Sequence, residues 1–146
     1  MRPEIPQNTG SIARLTAATK IRLHLVGPLG FSLADRYLKR AGLDYWPLVD
    51  LTAYDGWEHF QATHRAASFK FFSARATRSY LSAKYQPGDF LVFGSETKGL
   101  GSDFIEKNID ATFNIPIFEP GVRSLNLSNA VSVVVYEALR QIGRIS

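Results

Sequence analysis

Apolar positions recur along this chain with two different periods, and the switches between them mark its elements. Ile12, Leu15 and Ala18 share one face of a helical repeat, with Asn8 or Thr9 placed to cap it, and predict a helix reaching about Lys20. Residues 21–26 alternate instead, which predicts a strand closed by the Gly27-Pro28 turn. Ser32 is placed to cap a second helix over 33–41, with Gly42 as its stop. A less strongly patterned helix covers 56–64 and a strand 68–73. Pro87-Gly88-Asp89 reads as a turn ahead of a short buried strand, Phe90–Phe93. Residues 103–107 predict a helical turn and 111–117 a strand; the last helix starts at Asn126 or Ser128 and runs to about Gln141.

Strands alternating with helices predict an α/β fold with a mainly parallel sheet flanked by helices. Ligands of such sheets sit beyond the carboxyl ends of the strands. The loops after Phe72, Phe93 and Ile117 are therefore the expected site. At 146 residues, with no repeat, low-complexity tract or linker, the chain reads as a single domain over 1–146. In the last helix Ala130, Val131, Val134, Val135, Ala138 and Leu139 cover about half the circumference. That is wider than the stripe one packed side needs. It fits either a second contact surface, such as a dimer interface, or a deeply buried core helix.

Composition narrows the chemistry. No apolar run approaches the roughly 20 residues of a membrane span, and MRPEIPQNTG lacks the apolar region of a secretory signal. The absence of cysteine excludes disulfide scaffolds, thiolate zinc sites and cysteine nucleophiles, and it fits a cytoplasmic protein. His24, His59 and His64 lack metal-ligand spacing, no GxSxG elbow occurs, and Asp35, Asp50, Asp55 and Glu58 read as surface carboxylates; no metal is expected. The net charge of +4 permits a nucleic-acid partner. Its distribution is more informative. Between Gln61 and Gln86 lie Arg65, Lys70, Arg75, Arg78 and Lys84, no acidic residue, and interleaved Phe69, Phe71, Phe72, Tyr80 and Tyr85. Such a window suits RNA, by phosphate neutralisation and base stacking, or a solvated loop around a buried strand.

Three segments concentrate residues able to carry chemistry. In FGSETKGLG, residues 93–101, three glycines follow a buried strand, where they let backbone approach a ligand and offer N–H groups. The spacing is neither that of a dinucleotide loop nor of a P-loop; a tight turn with a solvated Glu96 is the plain alternative. In the second, Ile115-Pro116 leads through a Pro/Gly loop to Arg123-Ser124-Leu125-Asn126-Leu127-Ser128-Asn129. One small polar residue would cap the helix; four beside an arginine suit a ligand-facing loop. The third is EIPQNTG, with Asn8 at the start of a helix and Arg14 farther along it, where a surface arginine with a packed stem is the alternative.

Together EIPQNTGSIARL, FGSETKGL and IPIFEPGVRSLNLSNAVSVVVYEALRQ resemble the three signature motifs of the SpoU-like (SPOUT) tRNA 2'-O-methyltransferases, in order and spacing over nearly the whole chain. PLGFSLADRYLKRAGLDYW is similar to the subfamily acting on the wobble nucleotide, cytidine or uridine 34. The resemblance implies a C-terminal trefoil knot, S-adenosylmethionine as cofactor, an obligate homodimer through the last helix, and the tRNA anticodon stem-loop as partner. By matching position it implies a cofactor pocket of Phe72, Gly94, Ile115, Ser124 and Leu125, largely through backbone. Arg14 matches the catalytic arginine and Asn8 its companion; Glu96, Ser124 and Asn126 match the polar residues of the second and third motifs. The implied reaction is in-line attack of a ribose 2'-hydroxyl on the sulfonium methyl. Alternatives are another tRNA site, ribosomal RNA, or a non-catalytic RNA-binding homologue; the intact Asn8, Arg14, Glu96, Ser124 and Asn126 speak against the last. One departure stands out: only Met1-Arg2-Pro3 precede Glu4, where family members carry a first strand, so that strand is expected to be missing.

Overall fold

Pro6 fixes the start of the first helix. The computed structural model describes residues 1–34, 36–41 and 44–146. In it α1 spans Pro6–Thr19, preceded by Ile5 in extended backbone. Proline's locked φ and missing N–H suit a first helical position. Asn8 and Thr9 consequently lie inside the first turn rather than ahead of it, and the cap position falls to Ile5, whose side chain carries no hydrogen-bond acceptor. The buried face also differs from the expected one. Thr9, Ala13 and Thr16 are buried, Ile12 and Leu15 only partly, and Ala18 is exposed. Threonine can occupy the inner face because its hydroxyl bonds the preceding turn: Thr16 Oγ1 donates to Ala13 O (2.9 Å) and Thr19 Oγ1 to Leu15 O (2.8 Å).

The chain divides into two compact units, Met1–Arg65 and Ala66–Ser146. In the first, β1 (Leu23–Val26) pairs in parallel with β2 (Leu51–Tyr54), from Leu23↔Leu51 to Val26↔Tyr54. Strand β2 escapes the sequence pattern because none of its residues is fully buried, so Leu51-Thr52-Ala53-Tyr54 carries no apolar alternation. Between them lie α2 (Arg36–Ala41) and a 3-10 turn, Trp46–Leu48. Leu33 and Ala34 form a turn ahead of α2, with the Ala34 N–H on Ser32 Oγ at 3.1 Å. Asp35 and the expected stop at Gly42 lie outside the described residues. Ala13, Leu23 and Leu25 form the core, with Ile12, Leu29, Leu33, Trp46, Val49 and Leu51 against them. No strand precedes α1 among the described residues; the Arg2 N–H bonds Val26 O (2.6 Å) and the Gly30 N–H bonds Pro3 O (2.9 Å), tying residues 2–3 to the end of β1.

Helix α3 (Trp57–Thr63) places Phe60 beside a polar aromatic cluster. The Tyr54 hydroxyl lies 3.1 Å from both His24 Nδ1 and His64 Nε2. Burial, with the neighbouring His64 and Arg22, pushes the His24 imidazole down to a pKa of about 4.

In the second unit β4 (Phe90–Phe93), β3 (Phe69–Phe72) and β5 (Thr112–Phe113) form a three-stranded parallel sheet in that order. Strand β5 is shorter than the 111–117 the pattern predicts. Residues 109–111 form a 3-10 turn held by Asn108 O, which accepts from the Ala111 N–H and Thr112 Oγ1, and Pro116 has no N–H to continue a ladder. Beyond Phe113, Asn114 turns its backbone to another partner, with Asn114 N–H on Arg78 O and Tyr80 N–H on Asn114 O, both at 2.7 Å. Helix α4 spans Ser102–Lys107 and α5 Leu127–Gln141. Phe72, Ala83, Tyr85, Phe113 and Val134 form the core. In α5, Val131, Val134, Val135 and Leu139 are buried, so the wide apolar stripe is largely core; Val133 and Tyr136 are the large apolar side chains left outward. No described helix is long and apolar enough to cross a membrane.

Candidate active site

Because β3, β4 and β5 are parallel, their carboxyl ends share one edge, and the chain leaves that edge at Phe72, Phe93 and Phe113. Register pairs Phe72 with both of the others. The Phe72 and Phe93 rings stack with centroids 4.8 Å apart, and Ile115 packs on the same cluster. Phe72, Gly94 and Ile115, three of the expected cofactor residues, thus converge here. The Phe72 ring is committed to the core, so what it offers a ligand is backbone. The third loop departs after Phe113, four residues earlier than the pattern predicts.

Gly94 packs backbone against backbone. A Cβ there would stand 2.0 Å from Gly99 C and 2.3 Å from Leu100 N. That contact closes 94–101 into a hairpin: Ser95 N–H bonds Gly99 O (3.2 Å), Gly99 N–H bonds Ser95 O (3.0 Å), and Lys98 N–H bonds Ser95 Oγ (3.2 Å). The expectation that this loop offers its N–H groups is corrected for these three, which the hairpin itself uses. Gly99 and Gly101 have φ of 60° and 91° with open space where a side chain would stand. Glu96 is half-exposed at the hairpin.

The third loop, 115–126, is irregular, and Ser124, Leu125 and Asn126 are exposed. Asn126 caps α5: its Oδ1 accepts from Ser128 N–H (3.0 Å), Asn129 N–H (3.3 Å) and Ser128 Oγ (2.6 Å). The helix-cap alternative therefore describes this side chain's oxygen.

The remaining two expected site residues belong to the first unit. Asn8 is buried in the first turn of α1. Next to it, the enclosed Thr9 hydroxyl has no protein partner among the described residues. Arg14 is exposed. Its Nη2 donates to the Tyr45 hydroxyl (3.1 Å), and its Cζ stands 4.6 Å from the Tyr45 ring centroid. Sequence reasoning missed Tyr45; its only signal was its place in PLGFSLADRYLKRAGLDYW.

The basic window divides. Lys70 Nζ is 2.9 Å from Asp89, with side chains only 14% and 6% exposed. Burial pushes the Asp89 carboxyl up, but its bonds to Lys70, the Gln86 N–H and Ser68 outweigh that and hold it below the usual range. Arg75 donates to Ser102 Oγ (2.7 Å). Arg78 donates to Asp110 O and lies over the Phe113 ring. Three of the five cations thus bind their own unit; Arg65 and Lys84 are exposed. Among the described residues no group of three His, Asp or Glu is placed to hold a metal.

Comparison with known proteins gives this geometry a family. The SpoU rRNA Methylase family matches residues 1–136. The tRNA (cytidine(34)-2'-O)-methyltransferase of Burkholderia ambifaria is 45% identical over 144 residues, covering 97% of this chain and 92% of its own. A solved structure described as structural insights into the 2-OH methylation of C/U34 on tRNA matches with a TM-score of 0.90 at 47% identity, over 99% of this chain and 93% of that one. The SpoU methyltransferase AviRb of Streptomyces viridochromogenes, solved in complex with the cofactor AdoMet, shares the fold at a TM-score of 0.84 and 23% identity, over 96% of this chain and 57% of its own. By the extent of the family match and the identity to a relative of nearly equal length, the chain belongs to the SpoU rRNA methylase family.

Proposed function

We propose that the chain transfers a methyl group from S-adenosylmethionine to the ribose 2'-hydroxyl of the wobble nucleotide, cytidine or uridine 34, of tRNA. The observation that carries this reading is that the second and third motifs leave one edge of one parallel sheet, at Phe93 and Phe113. The residues at that edge fit such a cofactor. Gly99 and Gly101 leave open space, Ile115 and the 38% exposed Leu125 are apolar, and Glu96 and Ser124 are polar. Phe72, Gly94, Ile115, Ser124 and Leu125 would hold it. When bound, S-adenosylmethionine supplies an electrophilic methyl on a positively charged sulfur.

The chain's own residues have to orient a poor nucleophile and manage its charge. Arg14 is the residue for this. A guanidinium stays protonated, so it donates to the 2'-oxygen and stabilises negative charge there instead of removing a proton. Asn8, Glu96, Ser124 and Asn126 take further roles by the family motifs they match, and Asn126 also caps the start of α5.

The assembly belongs to the same proposal. The family match over residues 1–136 supports a single SPOUT domain over 1–146, with the C-terminal trefoil knot that the resemblance implies. Val133 and Tyr136 on α5, with Phe118 and Val122 in the loop before it, are exposed apolar side chains; they support a homodimer. The anticodon stem-loop of cytoplasmic tRNA is the partner, and no step calls for a metal.

Arg14 variants test the reading. We expect Arg14→Lys, which keeps the charge and loses the planar fork, to slow methyl transfer into tRNA about a hundredfold or more with unchanged melting temperature and cofactor affinity. Wild-type transfer by Arg14→Lys would remove Arg14 from the chemistry.

A further inference from the structure

We propose that Tyr45 is a positioning residue, holding the Arg14 guanidinium in the orientation it needs at the 2'-oxygen. The inference rests on the reading of Arg14 given above. An exposed arginine has several rotatable bonds, and its idle side chain samples many rotamers. Arg14 is exposed, and among the described residues no ion pair engages it. Tyr45 meets it in two ways at once. The phenol oxygen accepts from Nη2 at 3.1 Å, and the ring lies 4.6 Å from Cζ. A neutral partner of this kind restrains the group without cancelling its charge, as a carboxylate would. It also occupies one of five N–H donors and leaves the others for a substrate oxygen.

Tyr45 is itself well anchored. It stands immediately before the 3-10 turn Trp46–Leu48, with its carbonyl accepting the Leu48 N–H (2.8 Å) and Trp46 O accepting the Val49 N–H (3.1 Å). Trp46 and Val49 pack on the cluster of Ala13, Leu23 and Leu25, and Ala13 is Arg14's neighbour in α1. The backbones that carry the phenol and the guanidinium are therefore mounted on one piece of core, which keeps the ring within reach of the arginine.

The test uses the full chain, S-adenosylmethionine carrying a radiolabelled methyl, and bulk tRNA from cells lacking the activity. Tyr45→Phe keeps the ring and loses the acceptor; Tyr45→Ala loses both. The expected result is a kcat lower by about tenfold for Tyr45→Phe and about a hundredfold for Tyr45→Ala, in line with the cost of small misplacements, with KM for cofactor and tRNA unchanged. In an Arg14→Lys background, where no fork remains to be held, Tyr45→Phe should cause no further fall. Full additivity there would show that Tyr45 acts apart from Arg14 and would overturn the proposal. So would wild-type kcat in both Tyr45 variants while Arg14→Lys is slow. If Arg14→Lys is itself as fast as wild type, the reading of Arg14 fails first and that of Tyr45 with it. Tyr45→Phe preserves the packing volume, so an unfolded Tyr45→Ala would leave the kcat of Tyr45→Phe to decide.

Discussion

Replacing Gly94 by alanine tests whether the hairpin after β4 is held by backbone contact. The new Cβ would stand 2.0 Å from Gly99 C, 2.3 Å from Leu100 N and 2.4 Å from Gly99 O, where ordinary contact begins at 3.4 Å. These neighbours are backbone atoms, which have no rotamer through which to withdraw. The hairpin has to open, and the paired bonds between Ser95 and Gly99, at 3.0 and 3.2 Å, open with it. Losing two backbone bonds costs about 1–3 kcal/mol, and forcing a close-packed backbone apart adds about 1–3 kcal/mol. We expect a loss of about 4 kcal/mol, or roughly 10 °C in Tm for a chain of this size. Binding of S-adenosylhomocysteine, the demethylated product, should weaken at least tenfold. Gly99→Ala is the control. Its Cβ meets nothing within 4 Å, and only its φ of 60° is unfavourable, a cost of about 1–2 kcal/mol. Thermal melts followed by circular dichroism, with titration calorimetry on the same samples, compare the two. Gly94→Ala melting within 2 °C of wild type, or Gly99→Ala proving the more damaging, would refute the reasoning.

Stability should fall as pH drops from 7 to 5. The His24 imidazole titrates near 4 in the folded chain and near 6.5 unfolded, so in between the unfolded chain binds the proton and is favoured. Discounted for its partial exposure, the loss is about 1–2 kcal/mol; a His24→Gln variant should lack most of it, and equal urea midpoints for wild type at the two pH values would contradict the assignment. Lys70→Met should strand the enclosed Asp89 carboxylate and cost about 2–4 kcal/mol without changing KM for tRNA; a raised KM at unchanged stability would make Lys70 an RNA contact instead. Light scattering should give about twice the chain mass of 16.3 kDa, and a monomer at micromolar concentration would remove the homodimer.

Much of this organisation is legible in the sequence, because period and punctuation are local properties. Phe90–Phe93 falls where the turn at Pro87-Gly88-Asp89 places it, and α5 ends at Gln141 as its apolar repeat predicts. Other features are settled by tertiary partners. Strand β2 exists because Leu23–Val26 offers it a parallel ladder. The inner face of α1 is built largely from threonines, of which Thr16 and Thr19 bond their own helix, so a search for Ile and Leu picks a neighbouring face. Lys70 reads as an RNA-binding cation until Asp89, nineteen residues on, is seen beside it. Arg14 was legible as a candidate and its catalytic role by resemblance alone; its partner Tyr45, thirty-one residues away, was not legible. The glycine hairpin was legible as a turn, while the bonds that consume its N–H groups depend on the contact between Gly94 and Gly99.

The central claim is that this chain methylates the wobble ribose. Incubating it with radiolabelled S-adenosylmethionine and bulk tRNA from a strain lacking the gene, then mapping the labelled nucleotide by digestion and mass spectrometry, tests this most directly. The account predicts label in tRNA as 2'-O-methylcytidine or 2'-O-methyluridine at position 34, and its loss in Arg14→Ala. Label on a base, at another tRNA position or only in ribosomal RNA would contradict it, as would no transfer by a folded protein that binds the cofactor.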